Sequence, residues 1–234
     1  GDILLNYDKT FAQKHTVNAL AGFHTELYSY EYDDAYRQDF PSSDVTDMNG
    51  GSVVGMRNSG YTRELAMNSV FSRLKYNYRD KYLFEANVRG DGSSRFAEGN
   101  RCGWFPSFSG AWRITNEDFV LGTAFNEVVT DMKVRGSWGM LGNQQIGNDY
   151  YPYINTDATN AKYPFDNKVS GGAVQTENKI QDISWEKTTT WAAAVDMTLF
   201  NELQVTLEYY NRKTTGILMQ VNVPNTYGYP GYWD

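Results

Sequence analysis

YNYRDKYLFEANVRGDGSSRF, residues Tyr76–Phe96, decides the fold. It predicts two β-strands joined by a tight turn at Arg79-Asp80-Lys81. After the turn, Tyr82, Phe84, Ala86, Val88 and Gly90 fall on one side. Glu85, Asn87, Arg89 and Asp91 fall on the other. Successive side chains of a strand point to opposite faces, so this ribbon has one apolar and one charged face. A half-buried soluble sheet alternates in the same way. The lengths of the strands and of the connections between them separate the two cases.

Upstream, Gly1–Asp8 reads as a strand with Ile3, Leu5 and Tyr7 on one face, and Lys9–Lys14 as a polar turn. Thr16–Tyr32 reads as a second strand, Val17, Ala19, Ala21, Phe23 and Leu27 opposing Asn18, His24 and Glu26. Asp33–Gly60, rich in Asp, Ser, Asn and Gly, reads as a long loop with a short helical turn near Asp34–Gln38. Tyr61–Tyr78 is the third strand and the fourth runs to about Arg95. Gly103–Thr115, Asp131–Leu141, Trp185–Phe200 and Leu203 to about Leu218 follow as strands five to eight. Asn116–Thr130 is a connector of moderate length with one helical turn, and Gly142–Asp182 a very long polar loop, beyond what compact domains hold without function. Asn201-Glu202 reads as a two-residue hairpin turn, and Val221–Asp234 as a Tyr-, Gly- and Pro-rich tail.

Short and long connections alternate along the chain. Barrels of the outer membrane have short periplasmic turns and long external loops, whereas a sandwich distributes loop lengths less regularly. The strands are also long. Globular strands average about five or six residues, and a tilted membrane strand needs about 9–11. The fold class that follows is all-β: an antiparallel up-and-down transmembrane β-barrel segment of about eight strands spanning 1–234. If the short turns are periplasmic, the first strand starts outside and the eighth ends outside. That phase is opposite to a small barrel with both ends in the periplasm, so the segment belongs to a larger barrel. Alone it leaves two unpaired edges, which lipid does not tolerate.

Composition agrees. No run of 18 apolar residues exists, which excludes a transmembrane helix but not a barrel, whose alternating strands leave little hydropathy signal. Aromatics make up 15% of the 234 residues, with 18 Tyr and 6 Trp, the residues that suit a membrane–water boundary. A formal net charge of -7 argues against a nucleic-acid partner. The single Cys102 excludes an internal disulfide framework and a cysteine-based zinc site. Gly1-Asp2-Ile3-Leu4 has no signal-peptide character and reads as mid-strand, as in a piece of something longer.

Four stretches carry a family resemblance: Tyr76–Phe96, GWFPSFSGAWRIT (Gly103–Thr115), KVRGSWGMLGNQQIG (Lys133–Gly147) and ISWEKTTTWAAAVDMTLFNELQVTLEYYNRKTTGIL (Ile183–Leu218). In this order they resemble the SusC/RagA-type TonB-dependent outer-membrane transporters. Residues 1–60 match less closely, and Cys102 stands where an aromatic or polar residue is expected. The resemblance implies a barrel of about 22 strands with an N-terminal plug. It implies uptake of oligosaccharides or peptides in the outer membrane of a gram-negative bacterium, beneath a SusD-type surface lipoprotein. Energy would come from a TonB complex acting through the plug, and neither plug nor TonB box lies in these residues.

No catalytic constellation is visible. No acidic pair has a glycosidase context, and His15 and His24, the only histidines, read as isolated strand-face residues. Arg89, Asp91 and Arg95 alternate on the inward side. They form either a charged lumen patch that touches plug or substrate, or a structural ladder pairing across strands; the ladder is favoured. Trp104, Trp112, Trp138 and Trp191 suit sugar stacking, but on apolar strand faces they read as lipid contacts. The loop aromatics Tyr150, Tyr151, Tyr153, Tyr163 and Phe165 are the better substrate-binding candidates, set against packing of the loop on itself. Asp149, Asp157 and Asp166 could hold Ca²⁺ with backbone carbonyls, but their spacing does not match a calcium loop, so the calcium reading is weak and no cofactor is expected. The competing function is a soluble all-β carbohydrate-binding module using the same tyrosines. A barrel enzyme would need a Ser/His or Asp/His set that cannot be assembled from these residues.

Overall fold

A computed structural model describes residues 1–145, 150–155, 157–165, 168–175, 179, 182–221, 224, 226 and 232–233. The wall begins with β1 (Asp2–Phe11), β2 (His15–Gln38), β3 (Ser52–Tyr78), β4 (Tyr82–Ser93), β5 (Cys102–Arg113) and β6 (Val129–Asn143). The short helix α1 (Ala124–Val128) leads into β6. β7 (Asp157–Phe165) and β8 (Lys168–Gln175) form a separate hairpin, and β9 (Glu186–Leu199) and β10 (Leu203–Thr215) return to the wall. β11 (Gln220–Val221) pairs with β12 (Tyr232–Trp233) as a small ribbon. The main sheet has the order β1-β2-β3-β4-β5-β6-β9-β10, antiparallel throughout. β1 and β10 each pair on one side only, so the sheet is open.

Three tight turns lie at one end. Lys14 N donates to Phe11 O at 3.1 Å, Lys81 N to Tyr78 O at 2.9 Å and Glu202 N to Leu199 O at 3.0 Å. The central pairs Ala12-Gln13, Arg79-Asp80 and Phe200-Asn201 all have positive φ, the signature of type I′ turns whose twist matches the flanking strands. Asp80 and Asn201 tolerate that conformation best. The Asn77 side-chain oxygen Oδ1 also accepts from Asp80 N at 2.9 Å. The turn expected at Asn201-Glu202 is therefore shifted back by one residue.

Two expectations need correction. Asp33–Gly60 is not one long loop: β2 continues to Gln38 and β3 begins at Ser52, leaving 39–51 as the connection, with a 3-10 turn at Met48–Gly50. No helical turn forms at Asp34–Gln38. Pairing runs unbroken from His15↔Tyr78 to Tyr36↔Arg57. Both sides of this extension meet water, so its composition looks like a loop while its backbone stays extended. The second correction is Gly142–Asp182, which contains the β7–β8 hairpin. Among its described side chains none is buried, so no alternation announced it.

The lengths of β2 and β3 follow from the same geometry. At ~3.3 Å per residue and a tilt near 40°, the 24 residues of β2 rise about 60 Å, more than twice the ~25 Å apolar band of a barrel. Pairing of β3 with β4 stops at Met67↔Ser93, so the upper part of the β2–β3 hairpin stands clear of the wall.

The apolar face is uncovered. Trp112 is 39% exposed, Trp138 38% and Leu207 63%. A sandwich would seal these side chains between sheets, so the soluble carbohydrate-binding module is overturned. The main buried cluster lies instead at the long-loop end. Pairing of β5 with β6 stops at Ser107↔Gly139. Beyond it Phe105, Phe96, Ile183 and Trp185 pack together, flanked by Met140 and Leu218. Trp185 sits 5.2 Å from the Phe96 ring and 5.4 Å from Phe105, and its Nε1 donates to Arg101 O at 2.9 Å. Gly142 gives Phe105 its space, since a Cβ there would lie 2.0 Å from the ring.

Candidate functional site

The inward face of the wall carries charges in cross-strand pairs. Lys75 meets Glu85 at 3.5 Å across β3 and β4. Arg135 on β6 reaches Asp196 on β9 at 3.0 Å and Glu208 on β10 at 2.7 Å. Lys133 adds a contact to Asp196 at 3.2 Å, and the Thr206 hydroxyl donates to the same carboxylate at 3.1 Å. Opposite charges at facing register positions are what a lumenal ladder predicts.

Arg89 and Asp91 pair along β4 rather than across strands. Arg89 Nε donates to both Asp91 oxygens at 2.7 and 2.9 Å, and its Nη2 to Ser69 Oγ at 3.0 Å. Asp91 and Ser69 are buried, and the Arg89–Ser69 bond ties β4 to β3. Arg95 differs. Its Nη1 donates to Gln144 O at 3.1 Å and its guanidinium lies 5.4 Å over the Tyr150 ring.

Tyr150 joins the long loop to the hairpin: it stacks on Tyr28 at 6.2 Å and lies 5.7 Å beneath Arg63. Tyr151 has a second role. Beside the last β3–β4 rungs, Ser94 N donates to Ala66 O at 2.9 Å and Ala66 N to Ser94 Oγ at 2.9 Å. One rung higher β4 is gone, and the Tyr151 hydroxyl takes its place. It donates to Glu64 O at 2.9 Å and accepts from Glu64 N at 3.3 Å. Tyr153 is half-buried, Phe165 is exposed at the end of β7, and Tyr163 pairs with Ser170 in the β7–β8 register. Asp149 and Asp166 lie outside the described residues, and Asp157 opens β7. Among the described residues no group of three His, Cys, Asp or Glu could hold a metal. His15 Nδ1 is 2.8 Å from Tyr76 Oη, and His24 Nδ1 is 2.6 Å from Asp2.

A set of residues missed from the sequence now stands out. Tyr28, Tyr30, Tyr32 and Tyr36 share the inward face of the hairpin with Tyr61, Arg63 and Arg57 across the register. Tyr61 contacts Tyr30 at 6.1 Å and Tyr32 at 5.2 Å; Arg63 lies 4.4 Å over Tyr61 and Arg57 4.6 Å over Tyr36. These rings remain roughly 40% exposed. Tyr28, Tyr30, Tyr32, Tyr61 and Arg63 join Tyr150 and Arg95 in an aromatic and cationic track above the wall, and Tyr36 with Arg57 forms a separate pair further along the hairpin. The signal was present: tyrosine at every second position from 28 to 32 and again at 36 is the period of a strand.

The comparisons place this architecture. The family described as TonB dependent receptor-like, beta-barrel, matches residues 2–233. The chain belongs to this family. TonB-dependent receptor P39 of Formosa agariphila is 34% identical over 227 residues, 96% of this chain and 21% of the relative. TonB-dependent receptor SusC of Bacteroides thetaiotaomicron is 37% identical over 170 residues, 71% of this chain and 16% of the relative. The chain thus spans about a fifth of the length of the curated relatives it matches. In the structure of the RagAB peptide transporter it matches 25% of one chain over its own full length, with a TM-score of 0.86 and 24% identity, a likeness of fold.

Proposed function

We propose that the chain forms part of the wall and outer mouth of a TonB-dependent nutrient transporter in the outer membrane of a gram-negative bacterium. The observation that carries this reading is the exposed apolar face backed by a paired, charged inner face, within a shown TonB-dependent receptor family. The open edges of β1 and β10 pair with further strands of the same barrel, because lipid leaves backbone groups no other partner. The role is transport, not catalysis. An oligosaccharide or peptide passes the Tyr/Arg track of the hairpin and the loop aromatics Tyr150, Tyr151, Tyr153, Tyr163 and Phe165. A SusD-type surface lipoprotein covers the mouth, and a TonB complex works through a plug. Arg89 and Asp91 hold the wall, whereas Arg95 orients Tyr150 toward the track.

The test uses the full-length protein in its own outer membrane. Tyr30→Ala with Tyr61→Ala lowers uptake of the nutrient on which cells depend, with the amount of folded protein unchanged. Recovery of the full-length protein in the soluble fraction without detergent would end this reading. Normal uptake by the double variant would remove the track from it.

A further inference from the structure

The outer half of β3 carries an open backbone edge. Below it, β4 pairs with β3 as far as Met67↔Ser93. β4 then turns through residues 94–101 into β5, so the wall supplies no further strand on that side. On the other side β2 stays paired up to Tyr36↔Arg57. Strands that would close the barrel join at β1 and β10, away from this edge.

Alternation decides which groups face the edge. Ala66 and Glu64 both turn their backbone N–H and C=O away from β2, Ala66 to Ser94 and Glu64 to the Tyr151 hydroxyl. Along one edge of a strand such groups recur at every second residue, about 6.6 Å apart. Thr62, Gly60 and Asn58 therefore aim their N–H and C=O the same way. All three are exposed, and among the described residues nothing bonds these groups. No proline interrupts the row. The Tyr151 hydroxyl stands at its lower end in the place of a strand, and the register shift between Tyr36 and Gln38 closes its upper end. A row of alternating donors and acceptors at this spacing is a template for one more strand.

We propose that the edge from Asn58 to Thr62 binds an extended peptide by strand addition, which makes the nutrient of this site a peptide. The proposal rests on the reading of the hairpin as the outer mouth of a transporter. The register says where the added side chains go. Every second one lies on the inward face beside Arg57, Tyr61 and Arg63, along the path assigned to the substrate. The others lie on the outward face beside Asn58, Gly60 and Thr62. An oligosaccharide stacks on the tyrosines but has no backbone that alternates donor and acceptor along one edge, so it leaves the row to water. The inward residues also favour a peptide in transit over a strand of a partner protein, because they line the mouth.

The test is equilibrium binding to the full-length protein in lipid nanodiscs. The probes are capped octapeptides in which threonine alternates with glutamate, with lysine or with tyrosine. The tightest of them is then N-methylated in two forms, one at every threonine and one at every other residue. Only one of these two sets of amides faces β3. Strand addition therefore predicts that one form binds about tenfold more weakly while the other binds like the parent. Thr62→Pro removes an edge N–H and leaves the ladder to β2 intact, a placement of proline that sheets tolerate. It is expected to weaken the parent peptide by about tenfold as well. Should that variant fold poorly, the two methylated forms on the wild type decide alone. No binding of any of the peptides, or equal binding of both methylated forms, overturns the proposal. Release of a co-purifying protein by Thr62→Pro with peptide binding unchanged assigns the edge to a partner strand and also overturns it. Uptake lost in the Tyr30→Ala, Tyr61→Ala double variant alongside equal binding of the two methylated forms leaves the transport reading standing and ends only this one.

Discussion

Single residues carry more of this wall than their types suggest. The Tyr151 hydroxyl closes a rung that β4 no longer supplies, bonding both backbone groups of Glu64. A net hydrogen bond contributes about 0.5–1.5 kcal/mol, so Tyr151→Phe loosens the hairpin locally and leaves the barrel folded. Hydrogen exchange is the measurement: amides of residues 57–66 should exchange faster in the variant while the wall strands stay protected. Unchanged exchange there would mean that the hydroxyl is incidental. Phe96 is the opposite case. It is fully buried against Trp185, and truncating a buried Phe costs about 3–5 kcal/mol, so Phe96→Ala lowers the unfolding midpoint. Phe165→Ala, at an exposed site, leaves that midpoint unchanged. Equal effects of the two would show that the cluster beside β5 and β6 adds no stability.

At the scale of elements, the connections separate what was legible from what was not. Tight turns and wall strands were legible because one face meets an apolar phase, and alternation records it. The β2–β3 extension meets water on both sides, and so do the described side chains of the β7–β8 hairpin, so composition there imitated a loop. The Tyr/Arg track was lost with the extension. The connector from β5 to β6 shows how a short-turn element is held. Glu117 is kept below its ordinary value of 4.5 by hydrogen bonds from Tyr82 and Trp112 and by Lys81. Lys81 is raised above 10.5, chiefly by Glu117, which it contacts at 3.1 Å. A depressed carboxyl stabilises the fold above its unfolded pKa and loses this as pH falls through its folded value. A raised amine contributes below its unfolded pKa and loses this as pH rises through its folded value. Exchange protection of residues 114–128 should therefore hold steady between about pH 5 and 10 and weaken on both sides. Glu117→Gln should be less protected at neutral pH and flat across the acid limb. An acid limb that survives in the variant would assign it to another carboxylate.

For the whole molecule, everything turns on which face meets lipid, and one pair of substitutions decides it. Leu74 lies outward on β3, midway between the Tyr78 end and Asn68, and is exposed. Ser109 lies inward on β5, opposite Glu85 in the β4 register. An arginine at the lipid-facing midplane of a barrel costs about 2–4 kcal/mol, while an inward one meets water. At position 109 it also meets the Glu85 carboxylate. Leu74→Arg in the full-length protein should then lower stability in lipid bilayers by that amount, read by denaturant titration. Ser109→Arg should be near neutral. In a soluble protein the order would reverse, because an exposed Leu74 tolerates charge and a half-buried Ser109 does not. The same two variants in detergent should show a smaller gap, since a micelle deforms around a charge more readily than a bilayer. A gap of the same sign in both media, larger in the bilayer, is the outcome that a membrane wall requires.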